Sequence, residues 1–259
     1  MGDFEYFDTE RDGRLLIITI ERPEVRNCLN SRSCHELSEI WDAFDADPEL
    51  WIAIITGRGD KAFCAGHDLS DDGPMPPTGW AGLSARLKPI SKPVIAAVNG
   101  QAYGGGFELA LGCDIIIADE RAVFAMSEPR VGFVAAGGGA DRLALRLPAP
   151  VAMGILLTGR RVEAAEAHRW GIATDLAPSG KTMEVARRWA NEILLCSPIA
   201  VRRTKQLAMA GLESEQWTQA MRQKREAINR ESLGLADLRE GVDAFLEKRK
   251  PVWQGRQVQ

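Results

Sequence analysis

Apolar positions recur in this chain in two rhythms: short unbroken runs that predict buried strands, and spacings of three and four that predict helices. Residues 4–7 and Leu15–Ile20 read as two strands joined by a turn at Asp12-Gly13, and Glu21-Arg22-Pro23 ends the second. Residues 31–44 have helical period, with Leu37, Ile40, Trp41 and Phe44 on one face, and Asp47-Pro48 closes that helix. Residues 51–56 form a buried strand stopped by Gly57 and Gly59, and residues 61–69 are a strand end that turns through Gly66. The Pro- and Gly-rich stretch 71–82 predicts a mobile surface loop. Residues 93–98 are a strand that runs into Gly104, Gly105 and Gly106, where a helix containing Phe107, Leu109, Ala110 and Leu111 begins. Residues 114–118 and 122–126 are further strands. Residues 131–136 lead to a second triplet, Gly137 to Gly139, opening a helix through Leu143 and Leu147. The order strand, glycine triplet, helix thus occurs twice at unequal spacing, as in related supersecondary units. Residues 158–171 read as a turn and a helix stopped by Gly171.

From Ser197 onward the pattern is almost wholly helical. Ser197 is a cap and Pro198 a first helical residue, with helices expected at 198–210, 214–232 and 236–249, broken near Gly211 and Gly234. No long linker precedes this tail. The expected division is a core over 1–196 and a helical region over 197–259 that packs on the core and on neighbouring subunits.

Composition narrows the function. The chain has 259 residues, 45% of them hydrophobic, enough for one large domain or a domain with an appendage. A net charge of −4 argues against a nucleic-acid surface or an anionic-membrane binder, so a polyanionic ligand would need a local cluster of cations. The acidic start carries no signal pattern, Tyr6 stands where myristoylation of Gly2 requires Ser or Thr, and no apolar run has the length of a membrane span. Five scattered cysteines without a Cys-x-x-Cys fit free thiols in a reducing cytoplasm. His35, His67 and His168 lack metal-ligand spacing, and there is no Gly-x-Ser-x-Gly elbow. Neither a metal nor a serine nucleophile is expected.

The chemistry centres on residues 99–114. Glycines at a strand-to-helix turn let a ligand approach bare backbone, and the first amides of a helix have no internal partners. Such a turn offers donors to a negative or developing-negative oxygen. The spacing is not that of a dinucleotide fingerprint, and no Gly-Lys-Ser/Thr follows. Plain packing explains the glycines nearly as well. Glu108 in the first helical turn favours proton transfer, since a carboxylate suits a bound phosphate poorly.

Lys61-Ala-Phe-Cys-Ala-Gly-His-Asp-Leu69 and Asn99-Gly-Gln-Ala-Tyr-Gly-Gly-Gly-Phe-Glu-Leu-Ala110 resemble the two oxyanion-hole segments of the enoyl-CoA hydratase/isomerase (crotonase) family. The similarity covers nearly the whole chain. It includes Glu21-Arg-Pro23, Thr158-Gly-Arg160, residues 164–171, and the tail Glu240-Gly-Val-Asp-Ala-Phe-Leu-Glu-Lys-Arg249 with Pro251 and Trp253. The resemblance implies an α/β fold, a crotonase-like spiral of β-β-α units whose helical C-terminal region builds homotrimers, often paired as hexamers. It implies an acyl-CoA thioester substrate, no metal or redox cofactor, and a place in fatty-acid metabolism. The backbone amides of His67 and Gly105 would form the oxyanion hole.

Hydratases of the family carry carboxylates at the positions of Glu108 and Glu128, twenty residues apart as here, whereas many isomerases keep one. The expected reaction is therefore reversible syn addition of water to a trans-2-enoyl-CoA, with the two glutamates as acid and base. Alternatives are a carnitinyl-CoA-type dehydratase, an enoyl-CoA isomerase, or a silent acyl-CoA- or RNA-binding paralogue. The retained acids oppose the silent form and the acidic pI of about 5.6 the RNA-binding one. Two departures stand out. Ala135-Ala136 replaces the Pro-Gly of many hydratases, and His67 is bulkier than the usual small residue, its ring either lining the acyl pocket or turned outward. Substrate or CoA contacts are expected from Ala65, His67, Asp68, Leu69, Ser70 and Gly105. Arg26, Lys61 and residues 248–250 are CoA-side candidates that serve equally well as surface charges. Asp68 either caps its turn or takes part in chemistry. Acyl specificity would fall to residues 71–87 and 131–136.

Overall fold

A computed structural model describes residues 3–71, 73–77, 80–82, 90–216 and 236–252 of the chain. Its main sheet is built from the apolar runs. β1 (Phe7–Asp12), β2 (Leu15–Ile20), β3 (Ile52–Gly57), β5 (Val94–Val98), β7 (Ile115–Asp119) and β10 (Asp175–Ala177) form six strands in the order β1-β2-β3-β5-β7-β10. β1 and β2 are antiparallel, and every other pair in this sheet is parallel. A second sheet runs in the order β4 (Ala62–Cys64), β6 (Gln101–Tyr103), β8 (Val123–Ala125), β9 (Val162–Glu163).

The repeating unit becomes visible in this pairing. β3-β4, β5-β6 and β7-β8 each send their first strand to the large sheet and their second to the small one. The latter two units continue into α2 (Gly105–Gly112) and α3 (Gly139–Arg146). The small-sheet strands are two or three residues long; β4 and β8 fall within the segments expected as strands at 61–69 and 122–126, whereas β6 and β9 are too short for a period-2 signal and are not among the expected elements.

Both faces of the large sheet are covered, as parallel sheets require. Leu15, Ile17, Ile52, Ile54, Ile95, Ala97 and Ile117 pack on Val185, Ala186 and Ala190 of α6 (Thr182–Leu194). The alternate residues, among them Leu16, Ile18, Ile55, Ala96 and Ile116, face α1 (Ser31–Ala46), α2 and the small sheet. α1 starts as its sequence indicates, with Asn30 Oδ1 accepting from the Ser33 amide at 2.8 Å. Neither α4 (Ala149–Thr158) nor α6 is among the elements expected from sequence.

Several expectations are corrected. The first strand begins at Phe7, not at residue 4, because it is an edge strand with a polar, exposed sequence whose six residues pair in register with β2. Residues 131–136 are not a strand. Glu128–Val131 is a short 3-10 turn with Pro129 at its start and Gly132 at φ 75° after it, and the second glycine triplet follows an irregular segment. The described parts of 71–82 are anchored on α1. The Ser31 amide donates to Asp71 Oδ2 at 2.5 Å, His35 Nε2 lies 3.1 Å from the Pro74 carbonyl oxygen, and Ala81 is fully buried.

α5 (Ala164–Arg169) is the helix expected before Gly171. α7 (Pro198–Gln216) starts at Ser197-Pro198 as expected but continues through Gly211, whose helical penalty of about 1 kcal/mol does not stop a 19-residue helix. α8 (Ala236–Leu246) is shorter than expected from sequence. The rest of the expected helix over 214–232 lies outside the described residues, as do Gly234 and Trp253. α7 is tied to the core by Lys205, whose Nζ donates to the Lys92 carbonyl at 2.8 Å and to Asp114 Oδ2 at 2.7 Å. Among the described residues no helix is long and apolar enough to cross a membrane.

Candidate active site

Two loops meet at the ends of β4 and β6. Beyond β4, Leu29 pairs across His67: its amide donates to the Gly66 carbonyl and its carbonyl accepts from the Asp68 amide, both at 2.9 Å. This pairing uses the residues on either side of His67 and leaves the His67 N–H on the opposite edge of the strand. Beyond β6, Gly104 takes φ 52°, a conformation that favours glycine, and caps α2, its carbonyl accepting from the Phe107 and Glu108 amides. The Gly105 amide is thus among the first, unpaired donors of the helix. A methyl group added at Gly66 would sit 3.2 Å from the Gly105 nitrogen, and one at Gly106 would overlap the Cys64 carbonyl. The loops therefore touch backbone to backbone. The His67 and Gly105 amides have no acceptor among the described residues.

Two buried carboxyls lie beside this pair of amides. Glu108, in the first turn of α2, is 5% exposed, and its Oε1 accepts from the Gly139 amide at 2.9 Å, at the positive end of α3. Glu128, at the start of its turn, is 9% exposed and borders Gly104, where an added methyl would lie 3.4 Å from Glu128 Oε1. Glu128 Oε2 is buried with no hydrogen-bond partner among the described residues. Burial, and after it the charge of Glu108, pushes the Glu128 carboxyl up to about 8. Such a pair holds one proton near neutral pH, one member able to give a proton and the other to take one.

The chain as a whole has counterparts among known proteins. The enoyl-CoA hydratase/isomerase family model matches residues 10–256. The chain belongs to the enoyl-CoA hydratase/isomerase family. A carnitinyl-CoA dehydratase of Proteus mirabilis (strain HI4320) is 42% identical over 253 residues, which cover 94% of this chain and 96% of the relative. The crystal structure of a carnitinyl-CoA hydratase from Mycobacterium avium superposes with a TM-score of 0.90 at 36% identity, over 98% of this chain and 100% of the other. The crystal structure of an enoyl-CoA hydratase from Mycobacterium tuberculosis H37Rv gives 0.76 at 36% identity, over 97% and 99%. The crotonase fold expected from the sequence is thus established.

In this family member the structure brings His67, Gly105, Glu108 and Glu128 together. The His67 ring does not simply turn outward. Its Nδ1 accepts from Trp80 Nε1 at 3.3 Å, which places the ring proton of neutral imidazole on Nε2. Trp80 falls within residues 71–87, the stretch expected to set acyl specificity, although the sequence does not single it out. Its indole lies against Gly105, where an added methyl would come within 2.7 Å of ring carbons. A tryptophan inside a Pro- and Gly-rich loop is the signal that points to it.

Asp68 has a local job. Its Oδ1 accepts from the Ser70 hydroxyl at 2.6 Å and the Ser70 amide at 3.2 Å, and its Oδ2 pairs with Arg22 at 3.2 Å. Burial acts to raise its carboxyl, but the Ser70 bonds and Arg22 outweigh this and hold it below the usual range. Its side chain thus caps the turn.

Arg26 is exposed, and its carbonyl accepts from the Ala65 amide at 3.0 Å, which sets it beside the first loop. Lys61 is exposed at the opposite end of β4, before Ala62. Leu69 is half-buried and Ser70 exposed. Of residues 248–250, Arg249 is already committed to Glu240 and Glu247. Ala135 is buried, and the Ala136 amide donates to the Val134 carbonyl at 2.7 Å, so this loop folds tightly without Pro-Gly. Cys64 is fully buried, and burial raises its thiol far above the ordinary range, as befits a packing residue.

Proposed function

We propose that the protein is a hydro-lyase that adds water across, and removes it from, the Cα–Cβ bond of an acyl-CoA thioester. The observation that carries this reading is the buried pair Glu108 and Glu128 beside two amides with no acceptor among the described residues. In hydration the Glu108 carboxylate takes a proton from water as the water oxygen bonds to Cβ. The Cα–Cβ π electrons move toward the thioester, and the enolate oxygen is held by the His67 and Gly105 amides. Glu128, protonated near neutral pH, gives its proton to Cα. Dehydration reverses each transfer, with Glu128 taking the α-proton and Glu108 protonating the departing hydroxyl. No metal or redox cofactor is required for this balance, and coenzyme A enters as part of the substrate.

Glu128 Oε2 supports this assignment, because a buried carboxyl oxygen without a partner among the described residues is expected to find one in water or substrate. The primary substrate reading is a trans-2-enoyl-CoA and its 3-hydroxyacyl-CoA product. A second reading, dehydration of a carnitinyl-CoA-type substrate, is favoured by the 42% identity to an enzyme of that name. Ala65, His67 to Ser70 and Gly105 would run along the thioester and pantetheine arm, with Arg26 and Lys61 toward the CoA phosphates. A cytoplasmic homotrimer or hexamer is the proposed setting, with residues 197–259 packing on the core and on neighbours.

The test follows loss of enoyl-thioester absorbance with a panel of short, long, branched and aromatic enoyl-CoAs and carnitinyl-CoA. Reversible hydration of at least one simple enoyl-CoA is expected, with turnover lost in Glu108→Gln and in Glu128→Gln. Tight acyl-CoA binding without turnover would overturn the reading in favour of a silent binder.

A further inference from the structure

The tail sequence Glu240-Gly-Val-Asp-Ala-Phe-Leu-Glu-Lys-Arg249 has no part in the proton transfers, yet it lies against the turn that carries Glu128. α8 presents Gly241 and Ala244, one helical turn apart and both buried. A methyl group at Gly241 would overlap the Val131 carbonyl and come within 3.0 Å of the Gly132 nitrogen. The helix thus presses its backbone on the peptide between Val131 and Gly132. That peptide closes back on Glu128: the Gly132 and Phe133 amides both donate to the Glu128 carbonyl. On its other side the turn is held by Arg130, whose Nε donates to the Thr158 carbonyl at 2.9 Å at the end of α4.

Glu128 Oε2 has no partner among the described residues, so the placement of the carboxyl depends on this backbone turn. The rest of the motif fixes α8. The Glu240 carboxylate accepts from Arg249 Nη1 at 2.6 Å, Arg249 Nη2 at 2.9 Å and the Val252 amide at 2.6 Å. These bonds clamp the chain as it turns back through Lys248, which sits at φ 54°. The Glu240 carboxyl is pulled down to about 2 by its bonds to Arg249 and then Val252. The clamp therefore stays charged across the working pH range.

We propose that α8 is a positioning element for Glu128, with Gly241 giving the close approach and the Glu240–Arg249 clamp holding the helix at that distance. This inference rests on the reading of Glu128 as the proton donor to Cα. A side chain at Gly241 would push the turn away from α8 and alter both the burial of Glu128 and its distance from Glu108.

Gly241→Ala decides the matter, with Glu240→Gln as the milder variant should the first fail to fold. The readouts are kcat and KM for an enoyl-CoA, the dissociation constant of a saturated acyl-CoA, and the carbon-13 carboxyl titration of Glu128. In folded Gly241→Ala, kcat should fall about 10²-fold, as for a displacement of roughly 1 Å. Binding should change by less than about threefold, so that the loss is in the transition state. The Glu128 titration should shift, and the pH profile of kcat should shift with it. Glu240→Gln should move both in the same direction by less. An unmoved Glu128 titration in the folded variants overturns the proposal, whatever happens to kcat. If the wild type catalyses no hydration, the catalytic reading fails, while the titration still decides whether α8 positions Glu128.

Discussion

Glu128 is a carboxyl kept where a carboxylate is costly, and that cost has measurable consequences. Its folded value is raised from 4.5 to about 8, so between these limits the folded protein binds a proton that the unfolded chain releases. Stability should therefore fall as pH rises through that window, by about 1.4 kcal/mol per unit at most, and level off above it. Glu128→Gln removes this dependence, and its melting temperature should exceed that of wild type by more at pH 8 than at pH 5. Calorimetry across that range checks the sign. The rate of hydration should fall as pH rises through about 8, because the α-proton is then missing from Glu128. Glu108→Gln and Glu128→Gln should each lose at least about 10²-fold in kcat. If both act on one water, the double variant should be much less damaged than the product of the single losses. Multiplicative losses would show that they work separately. Trp80 is the other residue with a specific expectation. Trp80→Ala should raise kcat/KM for branched or aromatic enoyl-CoAs relative to a four-carbon one, by at least about tenfold, the low end for a reshaped apolar pocket. Unchanged relative rates would show that Trp80 does not set acyl specificity.

Among the elements, the start of α2 is the part with least freedom. Gly104 needs its left-handed conformation, and Gly106 lies too close to Cys64 for a side chain. Gly105 is the first residue of the helix, a position where proline is tolerated, so Gly105→Pro removes the amide donor without breaking α2. The new ring would displace Trp80. Turnover should drop by the equivalent of about 2.7–4 kcal/mol in the barrier, the usual cost of one oxyanion donor. A folded variant with near-normal turnover, established by circular dichroism and assay together, would place the donor elsewhere. The loop at 134–137 shows that a tight approach to the carboxyls can be built without Pro-Gly. Gly137 itself packs on Glu108, where a side chain would overlap Oε2.

On the scale of the molecule, the unused apolar surface is concentrated away from the sheets. Leu157 of α4, Leu195 before α7, and Ile199 and Leu207 within α7 are all more than 70% exposed. Phe245 of α8 is also exposed. Trp217 and Ile228, apolar positions of the helix expected over 214–232, lie outside the described residues. Apolar side chains so exposed on these helices favour association with further copies. Light scattering at micromolar concentration should give the mass of three or six copies of the 28.4 kDa chain. A monomer there would refute the assembly.

The sequence alone determined the four inner strands of the large sheet, β2, β3, β5 and β7, but neither edge, because continuous apolar runs such as Leu15–Ile20 have no other use than burial on both faces, whereas β1 is polar and β10 only three residues long. It also determined the two loop motifs and the pair Glu108 and Glu128, since glycines and carboxylates at fixed spacing survive as a linear pattern. Only the tertiary structure decided what those residues meet. β6 and β9, three and two residues long, have no periodicity of their own and exist through pairing. The proton on Glu128 depends on burial and on the proximity of Glu108, and neither is a property of adjacent residues. Trp80 over Gly105, Asp68 as a cap, and Gly241 against Val131 are contacts between segments distant in sequence, fixed by the fold that brings them together.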